Sequence, residues 1–353
     1  MRRLAFPVLL ATFTTAAFAC GETLPSQPGD SVDASTSSDA PTNDAGGNAE
    51  DAGSDADGAT APRPCPKAEC GTVIVDAEDS ASEVIVDELR AYWSSSTRPV
   101  RARPLDLSGM AYSITNDTAS AAGISKADVE WVYWYSGAQV KYIDRDSNSA
   151  GSSVAATAPA GITSTVRAEN HLFATIGNEV DWCTLQNNKC TGTGFDDNRN
   201  LGSPTRALVP DSTRMRVWLA TDQKIWSLNA TSPGPNNFTE HWPVTNARQL
   251  LVDQTAVYVT RTGVKGIARY IASDAASAQP SVHGEHVPWT MAMDGVHVYY
   301  TSFDDELVAR VDKTTGVEEL VAVDLPRPLG IAVDAKKVYV VLSDGRIVAL
   351  PKP

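Results

Sequence analysis

The chain has 353 residues, of which 42% are apolar and 20% charged, and its net charge is −14. That length is sufficient for one large hydrophobic core or two modest ones. No stretch approaches the 18 consecutive apolar residues that predict a membrane-spanning helix. The acidic balance, with no basic stripe to offset it, argues against nucleic acid as a partner.

The first twenty residues have the pattern of an export signal. Met1 to Arg3 is positively charged, Leu4 to Thr15 is mostly apolar, and Ala17 to Cys20 closes the segment. The small residues Ala17 and Ala19 fit cleavage by ordinary signal peptidase. The same residues followed by Cys20 also fit a lipobox, in which residues 1–19 are removed and Cys20 is lipidated.

The cysteine count favours the lipobox. The chain has five cysteines, Cys20, Cys65, Cys70, Cys183 and Cys190. Exported chains normally pair their thiols, so we predict two short-range disulfides, Cys65–Cys70 and Cys183–Cys190. Lipidation then accounts for Cys20, and the alternative is a soluble exported chain with one free thiol. Gly21 follows the cysteine in place of the Asp that often signals inner-membrane retention, which favours an outer-membrane anchor.

Residues 21–64 differ in composition from the rest of the chain. They contain nine acidic residues, a single base (Arg63) and no aromatic residue. Such a segment cannot bury enough apolar surface to offset the entropy lost on ordering. We therefore predict that residues 20–64 form a lipid-anchored, disordered acidic tether. The folded part, residues 65–353, is then only mildly acidic, with a net charge of −8.

From residue 72 onward the chain repeats with a period of about 40 residues. Seven aromatic-centred segments are separated by 41, 40, 45, 40, 41 and 40 residues, and their central residues are Tyr92, Tyr133, Phe173, Trp218, Tyr258, Tyr299 and Tyr339. An acid stands five residues before the aromatic in five copies, as Asp87, Asp128, Asp253, Asp294 and Asp334. A fixed phase of this kind predicts seven copies of one structural unit.

Each repeat divides into short strands separated by turn residues. The last repeat has only three predicted strands, Gly330–Val333, Lys337–Leu342 and Arg346–Leu350, and one unassigned strand, Thr72–Asp76, precedes the first repeat. A ring of four-stranded blades closes when that strand completes the last blade. The sequence therefore predicts an all-β fold, a seven-bladed β-propeller over residues 65–353.

Several repeat segments resemble known propeller repeats. Tyr92-Trp93-Ser94, Val132–Trp134 and Val298–Thr301 are similar to YWTD repeats, and Gly330–Asp334 is similar to NHL repeats, although the fourth-position Asp of YWTD is absent from every copy. YWTD propellers usually have six blades, so six is the alternative to seven. The whole chain, with its cysteine, tether and propeller, resembles surface lipoproteins of myxobacteria.

Three polar patterns are interpreted as structural. The recurring Asp residues are expected to bond the backbone of the first hairpin turn, with a ring of metal ligands as the alternative. The segment His283–His286 is expected to be a solvated loop rather than a zinc site. The sets Asp144/Asp146/Asn148 and Asp196/Asn198/Asn200 are typical of the start of a calcium loop. Both lack the Gly and Glu that such a loop needs further on, so we predict plain turns and keep calcium as the alternative.

The candidate binding site lies where the chain enters the ring. Trp289, Arg206, Arg248 and Arg327 stand at the starts of first strands, and Arg261 and Arg346, with Lys224, lie in turns between second and third strands. These positions share one rim, where loops from all blades converge. The sequence has no catalytic constellation. We therefore expect a non-enzymatic module that binds a protein or small ligand, unless these residues are only surface charge. The alternative is a propeller enzyme, such as a metal-dependent lactonase or a lyase, with ligands on the ring axis.

Overall fold

Seven antiparallel sheets, each built on four strands, follow one another along the chain in a computed structural model of the protein. The structure describes residues 65–66, 71–76, 78, 81–95, 99–117, 121, 123–125, 131–146, 151–192, 194–195, 197–272 and 280–353. The predicted signal peptide, Cys20, the tether and Cys70 lie outside these residues. In the described part of the chain, no helix is long and apolar enough to cross a membrane.

We call each sheet a blade and give its strands in chain order. Blade 1 contains the strands Val84–Val86, Arg90–Ser94, Val100–Pro104 and Tyr112–Ser113. Blade 2 contains Gly123–Ser125, Trp131–Ser136, Gln139–Asp144 and Ser153–Thr157. Blade 3 contains Ser164–Ala168, His171–Ile176, Glu179–Gln186, Lys189–Cys190 and Asp197–Asn200. Blades 4 and 5 contain Thr205–Asp211, Arg216–Thr221, Lys224–Asn229 and Phe238–Pro243; and Ala247–Val252, Ala256–Arg261, Ile267–Ile271 and Ser281–His283. Blades 6 and 7 contain Thr290–Met293, His297–Ser302, Leu307–Asp312 and Glu318–Val323; and Pro328–Val333, Lys337–Leu342, Ile347–Pro351 and Thr72–Val75.

The last blade is completed by the strand from the start of the domain. Thr72–Val75 runs antiparallel to Ile347–Pro351, with Thr72 opposite Ala349 and Val73 opposite Val348. The first strand of blade 7 also packs against the first strand of blade 1, as first strands do between most successive blades. The ring is therefore closed. The protein is a seven-bladed β-propeller, which confirms the predicted count and closure and makes the six-bladed alternative wrong.

The hydrophobic core is divided among the junctions between blades. The described residues form seven apolar clusters, one between each pair of adjacent blades. The first strand of blade 7 shows why inner strands are apolar on both faces. Ile331 packs into the cluster shared with blade 6, and Ala332 into the cluster shared with blade 1. Burial on both faces removes the alternation that a half-exposed strand would show.

The recurring Asp residues organise the turn between the first and second strands. In blade 6, Asp294 Oδ1 accepts hydrogen bonds from the backbone N–H of Val296 and His297, at 2.9 and 2.8 Å. Its Oδ2 accepts one from the Tyr299 hydroxyl at 3.0 Å. Among the described residues, the same arrangement recurs in three further blades, at Asp87 with Tyr92, Asp253 with Tyr258, and Asp334 with Tyr339. Asp128, the other recurring acid, lies outside the described residues. This turn explains why acid and aromatic keep a spacing of five residues.

A disulfide and a strand pairing that the sequence does not predict complete the described part of the fold. Cys183 and Cys190 are bonded, with their Cα atoms 5.5 Å apart, and the bridge fixes the short extra hairpin that lengthens blade 3. This confirms the second predicted disulfide. Cys65–Pro66 runs parallel to the fourth strand of blade 6, with Cys65 opposite Ala322. The Cys65–Cys70 bridge stays a prediction because Cys70 is not among the described residues.

Candidate functional site

All six predicted site residues lie on one face of the ring. The connections between blades and the turns between second and third strands lie at the same end of every blade, since strands alternate in direction. We call this end the upper face and the opposite end, which holds the Asp turns, the lower face. The residues in question are Arg206, Arg248, Arg261, Trp289, Arg327 and Arg346.

Two of the arginines occupy β-bulges. Pairing between the first and second strands of blade 4 skips Arg206, between Thr205 and Ala207. Pairing in blade 5 skips Arg248 in the same way, between Ala247 and Gln249. A bulge adds one unpaired residue and turns its side chain out of the regular alternation. Both guanidinium groups are thereby placed at the upper end of an innermost strand.

Four side chains from blades 5 to 7 form a continuous stack, which we call the ladder: Arg248, Trp289, Phe303 and Arg327. The guanidinium carbon of Arg248 lies 3.2 Å from the centroid of the Trp289 ring. The Trp289 and Phe303 ring centroids are 4.9 Å apart, with an interplanar angle of 29°. The guanidinium carbon of Arg327 lies 5.4 Å from the Phe303 ring centroid. The structure therefore brings together three predicted site residues and one that the sequence interpretation missed.

The sequence interpretation misses Phe303 because it assigns only basic residues of the upper-face turns to the site. It directly follows the strand His297–Ser302, in the turn between the second and third strands of blade 6. Lys224 begins the third strand of blade 4, directly after the corresponding turn, and Arg346 lies in the corresponding turn of blade 7. Its place in the repeat was therefore a signal that was available from the sequence.

The other three arginines are placed differently. The Arg206 guanidinium makes a two-point ion pair with Asp222, at 2.7 and 2.8 Å, and this ion pair lowers the pKa of Asp222. Arg346 also forms an ion pair with Asp344 in its own turn, where two guanidinium nitrogens donate to Asp344 Oδ2, at 2.8 and 2.7 Å. Arg261 lies opposite Ala247 in the strand register, on the hairpin that presents Arg248. The upper face thus holds two ion-paired arginines, Arg206 and Arg346, beside the ladder, whereas Arg261 forms no ion pair with a described acidic residue.

The ladder arginines have uncompensated charge. Among the described residues, no acidic side chain forms an ion pair with Arg248 or Arg327. Burial lowers the pKa of Arg248 below its usual value. Arg327 is exposed and has a φ of 38°, in the left-handed region that non-glycine residues seldom adopt. Strained backbone of this kind is concentrated at binding and catalytic sites.

The remaining polar patterns make hydrogen bonds within the protein. Asp144 Oδ1 accepts the N–H of Asp146, and Asn200 Oδ1 accepts the N–H of Gly202, each at 2.8 Å. Of the other members of the two calcium-like sets, Asn198 lies in the last strand of blade 3, opposite Asp181, and Asn148 and Asp196 are not described. His286 Nδ1 lies 2.7 Å from Glu318, while His283 bonds Ser281. Across the described residues, no three His, Cys, Asp or Glu side chains are grouped as a metal site.

Comparisons with known proteins show the fold alone. No family model and no curated protein matches the chain. Among solved structures, virginiamycin B lyase from Staphylococcus aureus is similar with a TM-score of 0.63 and 12% identity, covering 80% of this chain and 98% of that one. The WD40 β-propeller domain of Doa1 gives 0.59 and 10%, covering 80% and 96%. One is an enzyme and the other a WD40 domain, so the shared propeller does not decide between catalysis and binding.

Proposed function

We propose that the chain is an envelope lipoprotein whose propeller binds an anionic ligand at the ladder, without catalysing a reaction. The observation that carries this proposal is the pair of uncompensated guanidinium groups, Arg248 and Arg327, at the two ends of an aromatic stack. Guanidinium forks recognise carboxylate and phosphate groups through paired hydrogen bonds. Trp289 and Phe303 would hold both forks in place before a ligand arrives, which reduces the entropy lost on binding.

The proposed localisation in the cell envelope rests on the N-terminal sequence. The export signal ends at Cys20, and the acidic segment that follows would hold the propeller away from a membrane surface. Several acyl chains on one cysteine would make such an anchor stable, since each buried methylene contributes about 0.8 kcal/mol. The repeat segments around Tyr133 and Tyr299 favour a relationship to YWTD propellers, and the segment Gly330–Asp334 favours one to NHL propellers. We propose the outer membrane because Gly21 follows the cysteine.

Replacement of Cys20 tests the anchor. Cys20→Ser should move the protein from the membrane fraction to the soluble fraction and leave the propeller folded, as judged by an unchanged thermal midpoint. Mass spectrometry of the wild-type N-terminal peptide should show an acylated cysteine. An unmodified Cys20 in a soluble wild-type protein would replace the anchored assignment with a soluble exported one.

Ligand binding is tested with three probes: inorganic phosphate, citrate and a short poly-glutamate peptide. We expect Arg248→Gln and Arg327→Gln each to weaken binding of the preferred probe by roughly tenfold or more, since a charge-assisted hydrogen bond is lost. Arg206→Gln is the matched control because Asp222 already neutralises that arginine. Equal affinity in all three variants would contradict a site at the ladder.

Elemental analysis addresses the enzyme alternative. A lactonase- or lyase-like propeller would hold its ligands on the axis of the ring. The purified protein is analysed for calcium and zinc after gel filtration without chelator. One metal ion per chain would favour the enzyme and contradict the binding-only function, whereas metal at background level together with ladder-dependent binding supports the binding module.

A further inference from the structure

A cavity of about 910 Å³ opens on the lower face between blades 7 and 1. Its wall includes two Asp turns, because both Asp334 with Tyr339 and Asp87 with Tyr92 line it. Leu105 and Asp106, which follow the third strand of blade 1, complete one side. The volume lies within the range that binds small molecules. This site is on the opposite face of the ring from the ladder.

Other junctions on the lower face show what the Asp turn contacts elsewhere. At the junction of blades 5 and 6, the Lys313 ammonium lies 3.1 Å from Asp253 and 5.8 Å from the Tyr258 ring centroid. At the junction of blades 6 and 7, the Lys352 ammonium lies 2.6 Å from Asp294 and 5.2 Å from the centroid of Tyr299. At both junctions, a lysine of the following blade contacts the Asp carboxylate and the ring of the tyrosine whose hydroxyl donates to that carboxylate.

The junction of blades 1 and 2 follows the same rule with an arginine. The Arg145 guanidinium lies 3.6 Å from Asp87 Oδ2. Arg145, Lys313 and Lys352 occupy the same position, directly after the last residue of a third strand. The strand register supports this equivalence, because the residue before each is opposite the first residue of a second strand.

At the junction of blades 7 and 1 this position is an apolar residue. Pro104 ends the third strand of blade 1 and is opposite Arg90, the first residue of the second strand. Leu105 therefore stands where Arg145, Lys313 and Lys352 stand in blades 2, 6 and 7. Asp334 accepts hydrogen bonds from the backbone N–H of Lys336 and Lys337 and from the Tyr339 hydroxyl, as its counterparts do. Within the described residues, however, no Lys or Arg side chain forms an ion pair with it.

The geometry points to a binding site for an alkylammonium group, which would contact Asp334 and Tyr339. Its contacts would be those that Lys313 makes with Asp253 and Tyr258 of blade 5, and that Lys352 makes with Asp294 and Tyr299 of blade 6. A ligand ammonium would donate to Asp334 Oδ2 and lie beside the Tyr339 ring, where cation–π attraction adds to the ion pair. The charged side chains that line the cavity are four acids and three bases, Asp87, Glu88, Asp106, Asp334, Arg145, Lys336 and Lys337. Arg145 is already paired with Asp87, so the acids remain in excess.

Two amines distinguish the sources of such a group. Cadaverine represents a free diamine, and Nα-acetyl-lysine methylamide represents the lysine side chain of a protein. Binding is measured calorimetrically with the full chain, with hexanoate as the probe of opposite charge. Tighter binding of cadaverine assigns the site to diamines, and equal binding of both amines assigns it to a single ammonium such as a lysine. Binding of neither amine at millimolar concentration overturns the site.

Matched variants locate the binding. Asp334→Asn keeps a side-chain oxygen that can accept the hydrogen bonds of the turn and should weaken amine binding roughly tenfold. Asp253→Asn is the control, because Lys313 already contacts Asp253, and this exchange should leave amine binding unchanged. Leu105→Lys copies the internal cation and should abolish amine binding while raising the thermal midpoint. Leu105→Met, of similar length without charge, should bind as wild type. If Leu105→Lys binds cadaverine as tightly as Leu105→Met does, the inference is wrong.

Discussion

The guanidinium carbon of Arg248 lies 3.2 Å from the centroid of the Trp289 ring, although the two residues belong to different blades. Arg248 occupies a bulge in the first strand of blade 5, and Trp289 immediately precedes the first strand of blade 6. Gln249 joins the same strands, since its side-chain oxygen accepts the backbone N–H of Met291 at 2.5 Å. The stack of Arg248 on Trp289 therefore lies at the contact between blades 5 and 6, which the hydrogen bond of Gln249 also joins.

A double-mutant cycle should detect this contact in the free protein. Arg248→Ala and Trp289→Ala are expected to couple by about 0.5–2 kcal/mol in the free energy of unfolding, the range for cation–π pairs. Urea denaturation of the wild type, both single variants and the double variant measures the coupling. Arg206→Ala with Trp289→Ala serves as the control pair and should be additive. Additivity in both pairs would mean that the stack does not persist in solution.

Acid should weaken the junction of blades 5 and 6 through Asp253. Burial raises the pKa of Asp253, but hydrogen bonds from the backbone N–H of Thr255 and Ala256 and the Lys313 ammonium outweigh it and lower the pKa from 3.8 to about 2. A depressed carboxyl pKa stabilises the fold above the unfolded value, and this contribution is lost as pH falls from about 3.8 to about 2. Thermal midpoints measured from pH 7 to pH 2 should fall most steeply in that window.

Two variants assign that acid loss to Asp253. Asp253→Asn cannot change its charge, so its midpoint should start lower at neutral pH and fall less between pH 4 and pH 2. Lys313→Met removes the ammonium but keeps the turn, and should shift the loss to higher pH. If all three proteins give parallel curves, groups other than Asp253 control the acid transition.

The repeat architecture was predictable because local chemistry fixes its period. The Asp carboxylate accepts backbone hydrogen bonds of the turn at Oδ1 and the tyrosine hydroxyl at Oδ2, as Asp294 does with Tyr299. Both contacts form only when the tyrosine follows the Asp by a fixed number of residues, and this fixed distance along the chain is visible in the sequence. The ladder was predictable only in part. Position in the repeat places Arg206 and Arg248 on the same rim. The different roles of the two arginines depend on side-chain contacts, because Asp222 neutralises Arg206 whereas Trp289 stacks on Arg248. The role of Leu105 could not be recognised before the strand register identified its counterparts.

Removal of the disulfide should destabilise blade 3 without changing the ring. Cys183 and Cys190 enclose a short loop, for which chain-entropy arguments give about 2–3 kcal/mol. The double variant Cys183→Ala/Cys190→Ala should lose roughly that amount in urea unfolding while retaining the far-ultraviolet spectrum of the wild type. A reducing agent should produce the same loss in the wild type and none in the variant. No loss in either experiment would show that the extra hairpin unfolds independently of the blade.

Asp181 should destabilise the protein at neutral pH. It lies in the third strand of blade 3, is 3% exposed, and its Oδ1 has no hydrogen-bond partner among the described residues. Burial, together with the nearby charge of Glu179, raises the pKa of Asp181 from 3.8 to about 6. A raised carboxyl pKa means that the folded chain binds the proton more tightly than the unfolded chain. Stability should therefore fall as pH rises from about 4 to about 6.

Asp181→Asn should remove this penalty. We expect it to raise the free energy of unfolding at pH 7 by about 1 kcal/mol, the lower end of the cost of an unpaired buried polar group, and the gain should disappear at pH 4, where the wild-type carboxyl is protonated. Urea denaturation at both pH values measures the difference. Glu179→Gln removes only the neighbouring charge and should give a smaller gain with the same pH dependence. A loss of stability at pH 7 in Asp181→Asn would contradict this account, because it would mean that the ionised carboxylate stabilises blade 3.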